Sequence, residues 1–189
     1  MSISKSDLLS NAKGGAMAGI VGGIALVALI FGIDSQLGVH SGTFYKMIGL
    51  LTGLEGMNAI VVGFLAHMAT AALIGATFFV CSTLHRILNI TSFQKGVFAG
   101  GITGLEVFAI FFFPINQFIM MPAVEEIVIF SDRYDLSIKE VEAMRTVLAN
   151  IDQILWGSLL MHVLYGVVMG YFAGAMLPGN YKTSKIHTE

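Results

Sequence analysis

The sequence predicts an all-α polytopic membrane protein, and three observations lead to this class: the composition, four long apolar stretches and an internal repeat. Of the 189 residues, 56% are hydrophobic and 12% are charged, whereas soluble domains carry about 25% charged residues. One cysteine and a net charge of −2 provide neither a disulfide framework nor a basic field for nucleic acid. The predicted partner is therefore the lipid bilayer, and nucleic acid is excluded.

Four stretches are long enough to cross the hydrocarbon core, which takes about 20 apolar residues. They cover residues 14–33, 59–80, 96–115 and 155–177. The first follows a polar N-terminal flank and is too long for the apolar part of a signal peptide, so we predict that it is retained. Together the spans predict a single integral membrane domain over residues 1–189.

The orientation follows from the distribution of Lys and Arg, which are enriched in cytoplasmic loops. With four spans, both tails share a side with the loop between the second and third spans. That side carries Lys5, Lys13, Arg86, Lys95, Lys182 and Lys185 against Asp7 and Glu189. The other side carries Lys46, Arg133, Lys139 and Arg145 against Asp34, Glu55, Glu125, Glu126, Asp132, Asp135, Glu140, Glu142 and Asp152. We therefore predict a cell-membrane protein with both termini cytoplasmic and an acidic external face.

The external segments are predicted to contain a helical insertion over about residues 122–152. Pro122 opens a short segment, because proline is favoured in the first turn of a helix. Ser137 and Glu140 have the spacing of a capping box, and nothing after them breaks a helix before Gly157, which predicts one helix over 138–173. The apolar loop segment 44–54 either lies at the membrane interface or begins an elongated second helix.

An internal repeat relates the two halves of the chain. A shift of 82 positions places Gly14 on Gly96, and a shift of 95 positions places His67 on His162. The chain therefore reads as two pseudo-repeated helical hairpins that enter the membrane in the same direction, as in parallel-repeat transporters.

Small residues recur every four positions along all four spans. Lipid offers no hydrophobic drive for helices to associate, so membrane helices depend on close backbone packing, and small residues allow it. This pattern predicts tight packing within one four-helix bundle, with a dimer or partner surface as the alternative. The glycines concerned are Gly15, Gly19, Gly23, Gly75, Gly96, Gly100, Gly104, Gly166, Gly170 and Gly174.

Three ionisable residues inside the spans, His67, Glu106 and His162, are the candidate site, because such groups are costly in hydrocarbon. By helical rise they lie at similar depths, which predicts one buried polar cluster. We predict that each histidine donates a hydrogen bond to a neighbouring helix and that Glu106 is protonated and hydrogen-bonded, because desolvation disfavours the charged form of a carboxyl group. This prediction includes no cofactor and no metal. A bis-histidine haem held by His67 and His162 and copper bound by methionine thioethers are the alternatives.

The order of these motifs resembles that of small uncharacterised four-helix prokaryotic membrane proteins. The resemblance rests on His67 to Gly75, on Lys95 to Gly104 with a following Phe-Phe-Pro, and on His162 to Gly170. It implies a compact four-helix bundle and supplies no activity. In size and style the chain is also similar to accessory subunits of archaeal membrane complexes such as ammonia monooxygenase.

The expected function is that of a non-catalytic accessory or scaffolding subunit, because no enzyme signature occurs in the chain. Its partners would be other membrane subunits, in a complex of the membrane oxidoreductase type, or further copies of itself. The alternatives are a haem- or copper-binding redox subunit and a small transporter or channel.

Overall fold

A computed structural model of the chain describes residues 5–84, 88–134 and 136–186, with side chains as far as Leu177. All regular structure in these residues is helical. The helices are α1 (Lys5–Gln36), α2 (Thr43–Leu50), α3 (Gly56–Leu84), α4 (Phe93–Ile129), α5 (Ile138–Ala149) and α6 (Ile151–Ile186). Four of them, α1, α3, α4 and α6, are long and apolar enough to cross a membrane. The predicted all-α class with four membrane-length helices is thus confirmed.

Helix α4 continues through two prolines instead of ending near residue 115. Its backbone widens into π-helical turns over Phe108–Phe112 and Asn116–Met120, and each turn ends two residues before a proline, Pro114 or Pro122. Proline lacks an N–H and crowds the carbonyl four residues earlier, and a wider turn accommodates both effects. Pro122 lies in the first turn of the α-helical segment Met121–Ile129 that follows the second π-helical turn, in agreement with the predicted start of a segment there, but this segment continues α4 without a break.

The predicted single helix over 138–173 is wrong, because Asn150 interrupts it. Its backbone leaves the helical region, with φ −113° and ψ 26°. The Asn150 side-chain amide donates to the Thr146 carbonyl at 2.8 Å, and the Asn150 carbonyl accepts from the Ile154 N–H at 3.1 Å. One residue thus closes α5 and starts α6, as an asparagine at a helix end can do.

The capping box at the start of α5 is confirmed. The Ser137 hydroxyl accepts a hydrogen bond from the Glu140 N–H at 3.4 Å, and the Glu140 carboxylate accepts one from the Ser137 N–H at 2.7 Å. Two amides that the helix cannot satisfy internally are satisfied in this way.

Contacts divide the chain into two compact units, and each unit contains part of every long helix. Unit 1 comprises Met1–Ala25, Met68–Glu106 and Met161–Glu189, and unit 2 comprises Leu26–His67 and Val107–Leu160. The prediction of one integral membrane domain stays a prediction.

In unit 1, α1 packs on α3 and α4 packs on α6 with their backbones in contact. A Cβ atom added at Gly75 would lie 2.8 Å from the Gly19 Cα, and one added at Gly100 would lie 2.7 Å from the Gly170 Cα. Real Cβ atoms essentially never come within 3.0 Å of another heavy atom. Only glycine therefore fits these crossings, and all ten glycines of the candidate packing faces are buried.

A tyrosine connects α6 to the α1–α3 pair within unit 1. The buried Tyr165 hydroxyl donates to the Ala71 carbonyl of α3 at 2.6 Å, and a Cβ atom at Gly22 of α1 would lie 2.9 Å from the Tyr165 ring. Because the Ala71 carbonyl also lies beside Gly19, three helices meet at this point.

Unit 2 has its own apolar core, formed by α2, the first turns of α3, the last turns of α4, and α5. Helix α2 runs antiparallel to the start of α3, with Gly49 against Ala59 and Tyr45 against Gly63. Since α2 ends at Leu50 and α3 begins at Gly56, segment 44–54 does not begin an elongated second helix. The core side chains are Met47, Leu50, Ala59, Val124, Ile127, Val128, Met144 and Val147.

Candidate functional site

Glu106 points outward from α4. Its side chain is exposed, whereas Gly96, Gly100 and Gly104 of the same helix are buried against α6. Two residues of helix correspond to a rotation of about 200°, so Glu106 lies nearly opposite Gly104. Among the residues that the structure describes, Glu106 has no hydrogen-bond or ion-pair partner.

Glu106 also lies well inside the apolar part of α4. The nearest charged residues along the helix are Lys95, eleven residues before it, and Glu125, nineteen residues after it. At about 1.5 Å of rise per residue, they are about 16 Å and about 28 Å away along the axis, and a hydrocarbon core is about 30 Å thick. A charge exposed at that depth costs about 2.5 to 3.5 kcal/mol even on the mildest scale.

The surface around Glu106 is otherwise apolar, and we call it the Glu106 face. Its members recur at intervals of three and four residues, which places them on one side of the helix. Phe98, with 72% of its surface exposed, and Leu105, with 48%, show that the described part of the chain does not cover this side. The Glu106 face comprises Phe98, Ile102, Leu105 and Glu106, all of which belong to unit 1.

The two histidines of the candidate site lie in different units, and both take part in interactions within the chain. His67 is half-buried in unit 2, with its ring 5.6 Å from the Tyr45 ring. His162 is half-buried in unit 1, where a Cβ atom at Gly104 would lie 2.8 Å from the His162 carbonyl carbon. The clustering of the histidines with Glu106 stays a prediction.

The haem and copper alternatives also stay predictions. In the described part of the chain, no three or more His, Cys, Asp or Glu side chains form a group that could hold a metal ion. A haem between His67 and His162 would need only two ligands, so this finding does not bear on it.

Unit 2 contains an ion pair that the sequence did not reveal. Lys46 of α2 is 7% exposed and pairs with Glu140 of α5, 94 residues later. Burial by itself raises the pKa of Glu140, but hydrogen bonds from Lys46 and Ser137 outweigh that effect and lower the pKa below its ordinary value. Glu140 therefore completes a capping box and holds α5 to α2 with the same carboxylate.

A second buried carboxylate, Asp34, holds the start of α2. This side chain, counted among the external acids in the sequence, is 3% exposed and accepts a hydrogen bond from the Gly42 N–H at 2.8 Å. Helix α2 has no cap from its own first residues, and Gly42 adopts φ 94°, which favours glycine. Asp34 supplies both the missing acceptor and a charge suited to the helix dipole. A separation of eight residues is not a capping motif, so no sequence signal marks it.

Two further polar side chains of unit 2 are almost fully enclosed. Tyr45 and Asn116 are each 1% exposed, and the Tyr45 hydroxyl and both amide atoms of Asn116 have no hydrogen-bond partner among the described residues. Burial, with a smaller contribution from the charge of Asp34, raises the pKa of Tyr45 to about 12. These groups are shielded by the chain, so they offer no surface to an outside molecule.

Four helices are long and apolar enough to cross a membrane, and two of their pairings run backbone to backbone through glycine. This architecture is compatible with a multi-pass helical membrane protein. No family model, curated protein or solved structure matches the chain. The resemblance inferred from the sequence motifs therefore stays a prediction, and the function has to be inferred from the geometry of the chain.

Proposed function

We propose that this chain is a non-catalytic accessory or scaffolding subunit of a larger membrane protein complex. The observation that carries the proposal is the exposed carboxylate of Glu106 inside the apolar part of α4, which has no partner among the described residues. Such a group is stable in a membrane when another protein covers it. The resemblance in size and style favours an archaeal complex of the ammonia monooxygenase type.

The packing of unit 1 supports a scaffolding role over a transport role. Helices α1 and α3, and likewise α4 and α6, touch through glycine backbones, which leaves no room for water between the members of each pair. Transporter sites, in contrast, are built at gaps where helices are interrupted. The small-residue faces are thus occupied within the chain, and the exposed surface of α4 is available to a partner.

We also propose that the chain consists of two copies of a helical hairpin with cytoplasmic termini. The glycine contacts support the duplication, because the α1–α3 pair and the α4–α6 pair touch at equivalent positions. Gly15 meets Gly75 as Gly96 meets Gly170, and Gly19 meets Ala71 as Gly100 meets Gly166. Each α1 residue in these contacts corresponds to the α4 residue 81 positions later, one less than the shift of 82 that matches residue identities. Each α3 residue corresponds to the α6 residue 95 positions later.

The test is to isolate the chain from its native membranes in a mild detergent and to record a native mass spectrum and an absorption spectrum. We expect a stoichiometric complex with at least one other membrane subunit. A chain that is isolated alone and transports solute in proteoliposomes would overturn the proposal. A chain that carries a haem absorption band of its own would replace the proposal with the redox alternative.

A further inference from the structure

We infer that the Glu106 face is the lateral docking surface for a partner transmembrane helix that places a Lys or Arg side chain opposite the Glu106 carboxylate. The inference rests on the proposed function, because it names the surface and the chemistry through which the subunit would join its complex.

Within the described residues, the Glu106 carboxylate has no partner. It faces away from the α6 contact, and no described residue donates a hydrogen bond to it. The nearest charged residues of the helix, Lys95 and Glu125, are about 16 Å and about 28 Å away along it, which is beyond the reach of a glutamate side chain. An ionised group there is stabilised by a charge of opposite sign brought by a neighbouring chain.

Charge complementarity also selects the kind of neighbour. None of the apolar segments 14–33, 59–80, 96–115 and 155–177 contains a Lys or Arg, so a second copy brings no Lys or Arg to this depth. Its histidines there, His67 and His162, already take part in interactions within the chain. A symmetric contact between two copies on this face would instead place two Glu106 carboxylates together, and like charges at close range repel. A different chain with a basic residue in its membrane helix fits the surface.

The residues around Glu106 suit a helical partner. Phe98, Ile102 and Leu105 precede it on the same side of α4, within unit 1. A helix lying along this side would cover the carboxylate and pack on these large apolar side chains. Apolar contacts beside a polar contact exclude water from it and strengthen it.

The first experiment is photocrosslinking in native membranes. A benzophenone amino acid replaces Phe98 or Ile102, two exposed positions on the same side of α4 as Glu106, and the crosslinked peptides are identified by mass spectrometry. We expect both positions to crosslink to one membrane helix that contains a Lys or Arg. Crosslinks only to lipid, or only to another copy of this chain, would overturn the inference.

The second experiment measures how much partner is retained by variants of the purified complex. Glu106→Gln removes the charge with little change in shape and should lower retention at least about tenfold. Glu125→Gln is the matched control, because it makes the same change at an exposed position of the same helix beyond the apolar segment, and it should leave retention unchanged. Glu106→Lys, combined with an acidic substitution of the partner's Lys or Arg, exchanges the two charges and should restore retention.

The outcomes separate this inference from the proposed function. If the complex is isolated but Glu106→Gln retains the partner as well as Glu125→Gln does, the docking surface is wrong and the accessory role stands. If no complex is isolated even from the unaltered chain, the proposed function itself fails. Helicity and thermal unfolding of Glu106→Gln should match those of the unaltered chain, because the side chain makes no polar contact within the described fold.

Discussion

The backbone contact between α4 and α6 predicts that two neighbouring glycines respond in opposite ways to the same substitution. A Cβ atom at Gly100 would lie 2.7 Å from the Gly170 Cα and 2.9 Å from the Gly170 nitrogen. Ordinary van der Waals contact begins at 3.4 Å, so the helices would have to separate by about 1 Å. Overpacking of this kind costs about 1 to 3 kcal/mol, and we expect Gly100→Ala to lose that much stability.

Gly101 is the matched control in the same turn of α4. Its Cβ position has only the Val167 side chain nearby, at 3.5 Å, which is an ordinary contact. Gly101→Ala is therefore expected to be neutral or to gain up to about 1 kcal/mol from helix propensity. The measurement is reversible unfolding in mixed micelles, with dodecyl sulfate as denaturant and helicity as the signal. Equal stability of the two variants would show that α4 and α6 are not in backbone contact.

A larger substitution extends the test. Gly100→Leu should be worse than Leu105→Ala, because leucine at the first position must push α6 away. Leu105 is 48% exposed, so its truncation leaves no cavity in the interior of the chain. Equal tolerance of both changes would indicate that the glycine face of α4 looks at lipid.

Three further predictions concern hydrogen bonding, acid sensitivity and topology. Tyr165→Phe should cost about 0.5 to 1.5 kcal/mol in the same unfolding assay through its lost hydrogen bond, whereas Tyr45→Phe should be neutral or stabilising because its hydroxyl is buried without a partner. Because the pKa of Glu140 is lowered in the folded state, its pair with Lys46 should stabilise the fold above the ordinary value of 4.5 and lose that effect as the pH falls through the lowered pKa. Glu140→Gln should remove this acid-dependent part of the stability. A cysteine label at Arg133 should react from outside the cell, and a reporter fused to the C-terminus should read as cytoplasmic.

Each of the three has a contradicting result. Equal losses for both tyrosine variants would mean that the two hydroxyls have similar environments. An unchanged acid profile for Glu140→Gln would mean that the ion pair contributes nothing to stability. An externally accessible C-terminus would overturn the four-span orientation.

The class of the fold follows from sequence alone for a physical reason. Hydrocarbon offers no hydrogen bonds to the backbone, so a long apolar segment must satisfy its own amides as a helix. Hydropathy and length therefore determined the four long helices, and the local spacing of Ser137 and Glu140 determined the cap of α5. The ends of helices were less predictable. Whether Pro122 breaks a helix depends on whether the backbone can widen into a π-helical turn before it. Whether Asn150 ends a helix depends on which of its accessible backbone conformations it adopts.

What the chain brings together was decided only by its tertiary structure. The spacing of the glycines is visible in the sequence, but the partner of each is set by how the helices cross. Lys46 and Glu140 are 94 residues apart, and Asp34 caps a helix that begins nine residues later, so neither contact has a local signal. The outward direction of Glu106 had a partial signal, since it follows Gly104 by about 200° of helical rotation. That rotation became informative only when the glycine face was seen to pack on α6, because a helix has no inner and outer side until another helix covers one of them.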